Sequence, residues 1–208
     1  APSNFVPTNP EVLDRTLRSA GFNLLRGMAN LVEDRDRALG GKRPVGTENY
    51  VVGRDVAVTP GKVVFENRMF QLIQYTPTTA NVYETPLIIF PPWINKFYIL
   101  DLTPEKSFIR WAVAQGLTVF VVSWKNADAS IADATTETYI EEGFITAIDA
   151  VLKGLGIKST HVIGYCVAGT TLAMTLAFMA ARGEAGKVKS ATFFTAQVDF
   201  SECGDLGV

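Results

Sequence analysis

Histidine and cysteine are scarce in this chain, which has one histidine, His161, and two cysteines, Cys166 and Cys203, among 208 residues. Any mechanism that needs an imidazole must therefore use His161 or take one from outside these residues. Two cysteines permit one disulfide, but they do not form the spaced framework that is typical of small secreted proteins. We therefore expect a reducing cytoplasm.

Long apolar runs and a strong net charge are also missing. No apolar stretch reaches the roughly 18–20 residues that a membrane-spanning helix needs, and the first residues lack the pattern of a signal peptide. The formal net charge is −2, so no broad attraction to nucleic acid is expected. The hydrophobic content of 48% suits a domain with a substantial core, or a piece of a larger one.

The spacing of apolar and turn-forming residues predicts a helical segment followed by a β/α region. Residues 1–45 are predicted to form helices and a linker, because Pro10 follows a polar cap and Leu13 begins an apolar pattern at helical spacing. Residues 46–208 are predicted to begin with an antiparallel β-meander. Strands and helices then alternate, which favours a parallel sheet with helices on both faces.

The predicted elements of this β/α region follow one another at short intervals. Strands are predicted at 50–58, 62–66, 69–75, 87–90, 117–123, 160–163 and 189–195, and helices at 103–115, 136–152 and 166–181. The helix at 103–115 is predicted to begin at Thr103, where Thr-Pro-Glu is a start signal.

Cys166 lies between a predicted strand and a predicted helix, which is the setting of a nucleophile elbow. Gly164 and Ala168, two residues before and two after it, are small enough for the sharp turn that such an elbow requires. The first amides of the following helix and its dipole stabilise a thiolate. The backbone N–H of Val167 is placed to form half of an oxyanion hole.

Other interpretations of this stretch are weaker. A buried structural cysteine is the plain alternative, since free cysteine is among the most buried residue types. The Gly-Lys-Ser/Thr ending of a P-loop and the Gly-x-Gly-x-x-Gly pattern of a dinucleotide site are both missing. His161 precedes Cys166 by five residues, about 16 Å along a strand, so it is predicted to be a packed strand residue rather than the base.

Three segments resemble the polyhydroxyalkanoate synthase family, and the likeness runs over nearly the whole chain. Residues 91–102, Pro-Pro-Trp-Ile-Asn-Lys-Phe-Tyr-Ile-Leu-Asp-Leu, resemble the family's Pro-Pro-x-Ile-Asn-Lys signature, and residues 122–128 resemble its Val-Ser-Trp-Lys-Asn segment. Residues 164–169 resemble its Gly-x-Cys-x-Gly-Gly box, with Ala168 in place of a glycine. The chain is therefore similar to the N-terminal portion of a class I member, which implies an incomplete α/β-hydrolase fold.

The resemblance implies a polymerising acyltransferase that converts 3-hydroxyacyl-CoA, with a short acyl chain, into a polyester and releases CoA. Cys166 would carry the growing chain as a thioester, and the backbone amides of Val167 and Ile94 would be the oxyanion donors. The same signature places Trp93, Asn95 and Asp101 near the active site. A structural carboxylate is an equal alternative for Asp101.

Further expectations concern partners and the missing catalytic groups. No cofactor or metal is implied, because the substrate is itself an acyl-CoA. The implied partners are the growing polymer, the granule surface in the cytoplasm and a second copy in a homodimer. The resemblance also implies that the catalytic Asp, the His and a cap follow Val208, so residues 1–208 alone are predicted to be inactive.

Two other functions stay open from the sequence. A thioesterase or depolymerase could be built on the same fold, since the elbow alone does not separate synthesis from hydrolysis. The chain could also be a non-catalytic assembly fragment, and an exposed edge beside its last strand would make it prone to pairing.

Overall fold

The computed structural model describes Phe5 and residues 8–202, so Cys203 lies outside the described residues. The chain divides into two compact units, one up to Val51 and one from Val52. The helices are α1 (Pro10–Arg18), α2 (Phe22–Leu39), α3 (Phe108–Ala114), α4 (Thr136–Thr138), α5 (Thr146–Leu155) and α6 (Val167–Ala181). The strands are β1 (Gly61–Glu66), β2 (Phe70–Tyr75), β3 (Leu87–Phe90), β4 (Asp101–Thr103), β5 (Lys106–Ser107), β6 (Val119–Trp124), β7 (Thr160–Tyr165) and β8 (Val188–Phe194).

The first unit contains α1 and α2, which follow from local capping signals. The side-chain oxygen of Asn9 accepts hydrogen bonds from the N–H groups of Glu11 and Val12, so the first turn of α1 is capped. Gly21 takes a left-handed conformation, with φ of +82°, and separates the two helices. The helical segment that the sequence predicts within residues 1–45 thus consists of two helices.

The second unit is built on one main sheet, which among the described residues has the strand order β1-β2-β6-β3-β7-β8. β3 lies between β6 and β7 and is parallel to both, and β8 is parallel to β7. β1 and β2 form an antiparallel hairpin, and β2 is also antiparallel to β6. The predicted α/β class, with a parallel core beside an antiparallel edge, is confirmed.

Both faces of this sheet are covered by apolar side chains. Ile88 and Phe90 of β3 belong to a cluster with residues of α5 and α6, whereas Leu87 and Ile89 belong to a second cluster with residues of α3. All four side chains of β3 are buried, which is typical of a central parallel strand. Among the described residues, no helix combines the length and apolar character needed to cross a membrane.

The strand predicted at 50–58 is wrong. Gly53 has a φ of +86° and donates its N–H to the carbonyl of Val56, which closes a turn in the middle of this segment. Only an isolated bridge between Val52 and Val56 forms there. The strand prediction rested on the apolar residues of this segment. Gly53 interrupts them, because glycine readily takes the left-handed conformation that reverses the chain.

The predicted start of a helix at Thr103 is also wrong, because α3 begins five residues later. Asp101–Thr103 and Lys106–Ser107 pair as the short antiparallel strands β4 and β5. The hydroxyl of Ser107 then accepts a hydrogen bond from the N–H of Arg110 at 2.8 Å and caps α3. Pro104 and Glu105 form the turn between the strands, and the residue that caps α3 is Ser107.

Candidate active site

Cys166 lies in the turn between β7 and α6 with a strained backbone. Its φ of +55° and ψ of −128° are values that residues with side chains rarely adopt. Its N–H donates to the carbonyl of Phe194 at 2.9 Å, and its carbonyl accepts from the N–H groups of Gly169 and Thr170. The turn is thus fixed from both sides, and Cys166 is exposed at the carboxyl edge of the sheet.

Close approach of β7 and α6 depends on Gly164 and Gly169. A Cβ on Gly164 would lie 2.7 Å from the Cα of Gly169, and a Cβ on Gly169 would collide with the Cβ of Ala196. The sequence predicts that Gly164 and Ala168 must be small, but the partner of Gly164 is Gly169. Ala168 is fully buried in the core at an ordinary helical position, so its methyl group is accommodated.

The N-terminus of α6 lies next to the Cys166 side chain. Val167 is the first residue of this 15-residue helix, and the first N–H groups of a helix have no intrahelical acceptor. Together with the helix dipole, these groups favour negative charge at this end. The Val167 amide is therefore one of the free N–H groups at the helix end that adjoins Cys166.

The loop that follows β3 reaches the same edge of the sheet. Phe90 and Gly164 are paired across the parallel strands β3 and β7, so residues 91–95 leave the sheet beside the Cys166 turn. Within this loop the N–H of Asn95 donates to the carbonyl of Pro92 at 3.0 Å. Ile94 is 74% exposed, and Asn95 is exposed beside it. The structure therefore brings the predicted second oxyanion donor to the edge that carries Cys166.

Trp124, at the end of β6, holds this loop, and the sequence does not indicate that role. Its indole Nε1–H donates to the carbonyl of Pro91 at 2.7 Å in a buried hydrogen bond. Trp93 lies edge-on to Trp124, with ring centroids 6.2 Å apart, and packs on Tyr139 at 4.7 Å. Trp93, which the resemblance places near the active site, thus connects this loop to an aromatic cluster with Trp124 and Tyr139.

The helix predicted at 136–152 contains a π-helical segment, Tyr139–Ile145, between α4 and α5. Gly143 of this segment lies directly on the Trp124 ring, since a Cβ there would come within 2.8 Å of two ring carbons. Arg68 forms hydrogen bonds to both carboxylate oxygens of Glu142 and fixes the segment from the β1–β2 turn. π-Helical turns occur often at functional sites, but the spacing of apolar residues in the sequence does not distinguish them from α-helix.

Asp101 has the contacts of a structural carboxylate. It is 0% exposed, and the Thr59 hydroxyl and N–H donate to its two oxygens at 2.7 and 3.3 Å. Its carbonyl accepts from the N–H of Ala57 at 2.9 Å. These bonds hold the segment before β1 against β4, which is the structural alternative that the sequence leaves open.

Tyr75 lies close to this buried carboxylate. Its side chain is buried, and among the described residues its hydroxyl has no hydrogen-bond partner. Burial, followed by the negative charge of Asp101, raises the pKa of Tyr75 above its ordinary value. Tyr75 is therefore neutral under physiological conditions.

His161 lies near the start of β7, at the opposite end of the strand from Cys166. It is paired with Leu87 of β3, and its Nδ1 is 2.7 Å from the hydroxyl of Ser190 on β8. The side chain is only partly buried. His161 is therefore a strand residue with a local hydrogen bond, as the sequence predicts.

A largely parallel sheet, a strained residue where a central strand turns into a helix, and a second loop at the same edge define an α/β-hydrolase-type fold, and Cys166 occupies that strand-to-helix turn. Residues 1–112 match the family model described as the poly-beta-hydroxybutyrate polymerase (PhaC) N-terminus. The chain belongs to this family, and the resemblance to polyhydroxyalkanoate synthases is confirmed.

Curated relatives are similar to the chain over its whole length. A poly(3-hydroxyalkanoate) polymerase from Methylorubrum extorquens is 53% identical, with 100% of this chain and 34% of that protein covered. A poly(3-hydroxyalkanoate) polymerase subunit from Cupriavidus necator is 47% identical, with 100% and 35% covered. The chain therefore spans about a third of the length of these relatives.

Among solved structures, a fungal esterase from Rhizomucor miehei resembles the chain with a TM-score of 0.49 and 18% identity, covering 69% of this chain and 45% of that one. The assignment of the fold rests on the strand order and on the geometry at Cys166 rather than on this likeness.

Proposed function

We propose that this chain supplies the nucleophile and the oxyanion-binding loops of a polymerising acyltransferase. The enzyme would convert short-chain 3-hydroxyacyl-CoA, such as 3-hydroxybutyryl-CoA, into polyhydroxyalkanoate. The observation that carries the proposal is the strained Cys166 at the head of α6 in a member of this family. Because the relatives are about three times as long, the proposal concerns a polypeptide of their length.

The first chemical step is acylation of Cys166. Its sulfur attacks the thioester carbonyl carbon of the substrate, a C–S bond forms, and the carbonyl π electrons move to oxygen. The Val167 amide and the backbone amide of Ile94 receive the negative oxygen. When the carbonyl re-forms, the bond to the CoA sulfur breaks, and CoA leaves with the proton that a base removed from Cys166.

Chain growth uses the same cysteine and the same base. The hydroxyl oxygen of another 3-hydroxyacyl unit attacks the acyl carbon on Cys166, and its proton passes to the base. An ester bond forms, the bond to the Cys166 sulfur breaks, and the sulfur recovers the proton. The thiol is then ready to accept the next acyl group.

The base for these steps comes from outside residues 1–208. His161 is the only histidine in the sequence, and five residues of strand separate it from Cys166 by about 16 Å. Its ring nitrogen already bonds Ser190. A purified chain of residues 1–208 is therefore expected to release no CoA from 3-hydroxybutyryl-CoA, and turnover by that chain would contradict this part of the proposal.

The proposal includes a cytoplasmic site of action at the granule surface and a homodimer, both supported only by resemblance to the family. No cofactor beyond the acyl-CoA substrate enters the chemistry. Asn95 and Trp93 flank Ile94 in the loop of residues 91–95, and the Trp93 ring packs against Trp124 and Tyr139.

Substitution of the nucleophile in the full-length polypeptide tests the proposal. Cys166→Ser is expected to lower CoA release from 3-hydroxybutyryl-CoA by at least about 10³-fold, because a serine hydroxyl is far less ionised than a thiol. Cys203→Ser is the matched control and should keep the wild-type rate. Retained turnover in Cys166→Ser would refute the assignment, and free hydroxyacid in place of polymer in the wild-type product would favour a hydrolase.

A further inference from the structure

The end of β6 is joined to the loop that follows β3 by a buried hydrogen bond. Trp124 is the last residue of β6 and is 8% exposed, and its indole N–H donates to the carbonyl of Pro91 at 2.7 Å. Pro91 is the first residue after β3 and precedes Ile94 by three positions. The direction in which residues 91–95 leave the sheet is therefore set from β6.

The Trp124 ring also supports the loop through packing. Trp93 lies edge-on to it, and both Trp93 and Trp124 pack on Tyr139 of the π-helical segment, with ring centroids 4.7 and 5.4 Å away. Gly143 of the same segment leaves room for the indole, since a Cβ would come within 2.8 Å of the ring. Trp124 is thus closely packed against the π-helical segment.

Ile94 has little support of its own. Its side chain is 74% exposed, so the position of its backbone depends on its neighbours in the loop. A second connection between the loops joins Lys96 Nζ to Asn126 Oδ1 at 3.0 Å, but this bond is exposed and therefore weak. The buried Trp124–Pro91 bond is the stronger constraint on the loop.

We propose that Trp124 is a positioning residue for oxyanion formation, acting through Pro91 and Trp93 on the backbone amide of Ile94. The inference rests on the proposed function and adds to it a residue on a different strand from the nucleophile. An oxyanion donor works only if it is held where the charge develops, and a displacement of about 1 Å can lower a rate about 10²-fold.

Two reactions of Cys166 separate this role from general structural support. Acylation by 3-hydroxybutyryl-CoA develops a negative oxygen and needs the oxyanion donors. Alkylation by iodoacetamide forms a bond from the Cys166 sulfur to the CH₂ carbon and breaks the C–I bond, and iodide leaves with the electron pair. Alkylation needs an accessible, correctly folded Cys166 but creates no oxyanion.

The test compares Trp124→Phe with Trp111→Phe in the full-length polypeptide. Trp111 lies on α3, packs on Phe108 and is 55% exposed, so its loss should change neither reaction. Trp124→Phe removes the N–H donor and keeps an aromatic ring. It is expected to lower kcat for CoA release by about tenfold or more, with KM and the rate of Cys166 alkylation unchanged.

A second variant keeps the test valid if the smaller phenyl ring disturbs the core. Replacement of Trp124 by benzothienylalanine, in which sulfur takes the place of the indole N–H, preserves the ring shape and should give the same loss of kcat. A wild-type kcat in both variants, or a parallel fall of acylation and alkylation, would overturn the positioning role. Failure of the proposed function itself would show separately, as undiminished CoA release by Cys166→Ser.

Discussion

Gly164 on β7 and Gly169 on α6 lie so close together that a Cβ on Gly164 would come within 2.7 Å of the Gly169 Cα. Cys166 lies between them in sequence, and its carbonyl accepts a hydrogen bond from the N–H of Gly169 at 2.8 Å. The strained backbone of Cys166 is therefore maintained by the close packing of the strand against the helix.

Gly164→Ala is expected to lower the free energy of unfolding by about 1–3 kcal/mol, because the added methyl group must displace backbone atoms or Leu172. Urea denaturation followed by circular dichroism measures the change. The matched control is Gly154→Ala on α5, where a Cβ would meet no described atom within 4 Å. That control should be neutral or stabilise the protein by up to about 1 kcal/mol, since alanine favours helix. Equal effects of the two substitutions would contradict the close packing.

The elbow was predictable from sequence because its signals are local. Cys166 follows a short apolar strand and precedes a helix, and each signal spans only a few residues. The contacts that hold the loop after β3 are not local. Trp124 donates a hydrogen bond to a carbonyl 33 positions earlier, and its ring packs directly on Gly143 of the π-helical segment. Periodicity does not encode such pairs, so the role of Trp124 was missed.

The start of α3 was predicted wrongly because two nearby residues both have the character of a helix cap. Thr103 and Ser107 are both good helix caps, and the pairing of β4 with β5 decides in favour of Ser107. Sequence likewise does not show which of the two small residues after Cys166, Ala168 or Gly169, must pack against the strand. Only the geometry shows that Gly169 is the residue in contact with Gly164.

Asp101→Asn is expected to destabilise the protein by about 1–3 kcal/mol, because the Thr59 N–H or hydroxyl would lose a buried acceptor. If the carboxylate is structural, kcat per folded molecule should stay close to the wild-type value. Thermal unfolding and the rate of CoA release measure the two quantities. Asp149→Asn is the control, since that carboxylate forms an exposed ion pair with Lys187 and its loss should cost less than about 1 kcal/mol. A large fall in kcat with normal stability would instead place Asp101 in the chemistry.

The ion pair between Arg68 and Glu142 should make stability depend on pH in the acid range. The hydrogen bond from Arg68 holds the pKa of Glu142 below its ordinary value of 4.5. A carboxylate whose pKa is lowered by folding contributes stability above its unfolded pKa and loses that contribution as the pH falls through the folded pKa. The contribution is therefore present at pH 7 and is lost progressively as the pH falls below 4.5.

Arg68→Gln is accordingly expected to lower Tm at pH 7 and to approach the wild-type Tm at about pH 3. Both side chains are 42% exposed, so solvent screening keeps the effect at pH 7 small. Arg110→Gln is the control, because the Arg110 guanidinium bonds the backbone carbonyl of Pro104. A Tm difference between Arg68→Gln and wild type that does not change between pH 7 and pH 3 would rule out this ion pair as its source.

His161 provides a direct test of where the catalytic base is found. Its Nδ1 bonds Ser190 at the end of β7 remote from Cys166, so His161→Gln, which retains a polar side chain, should leave kcat for CoA release in the full-length polypeptide unchanged. Ser190→Ala removes the hydrogen-bond partner and is expected to have an equally small effect on kcat. The pH profile of kcat provides a further measurement, because loss of a base would remove its acid limb. If His161→Gln abolishes turnover while Ser190→Ala does not, the imidazole acts in the chemistry, and the separation of about 16 Å along β7 must be bridged by a rearrangement of the fold.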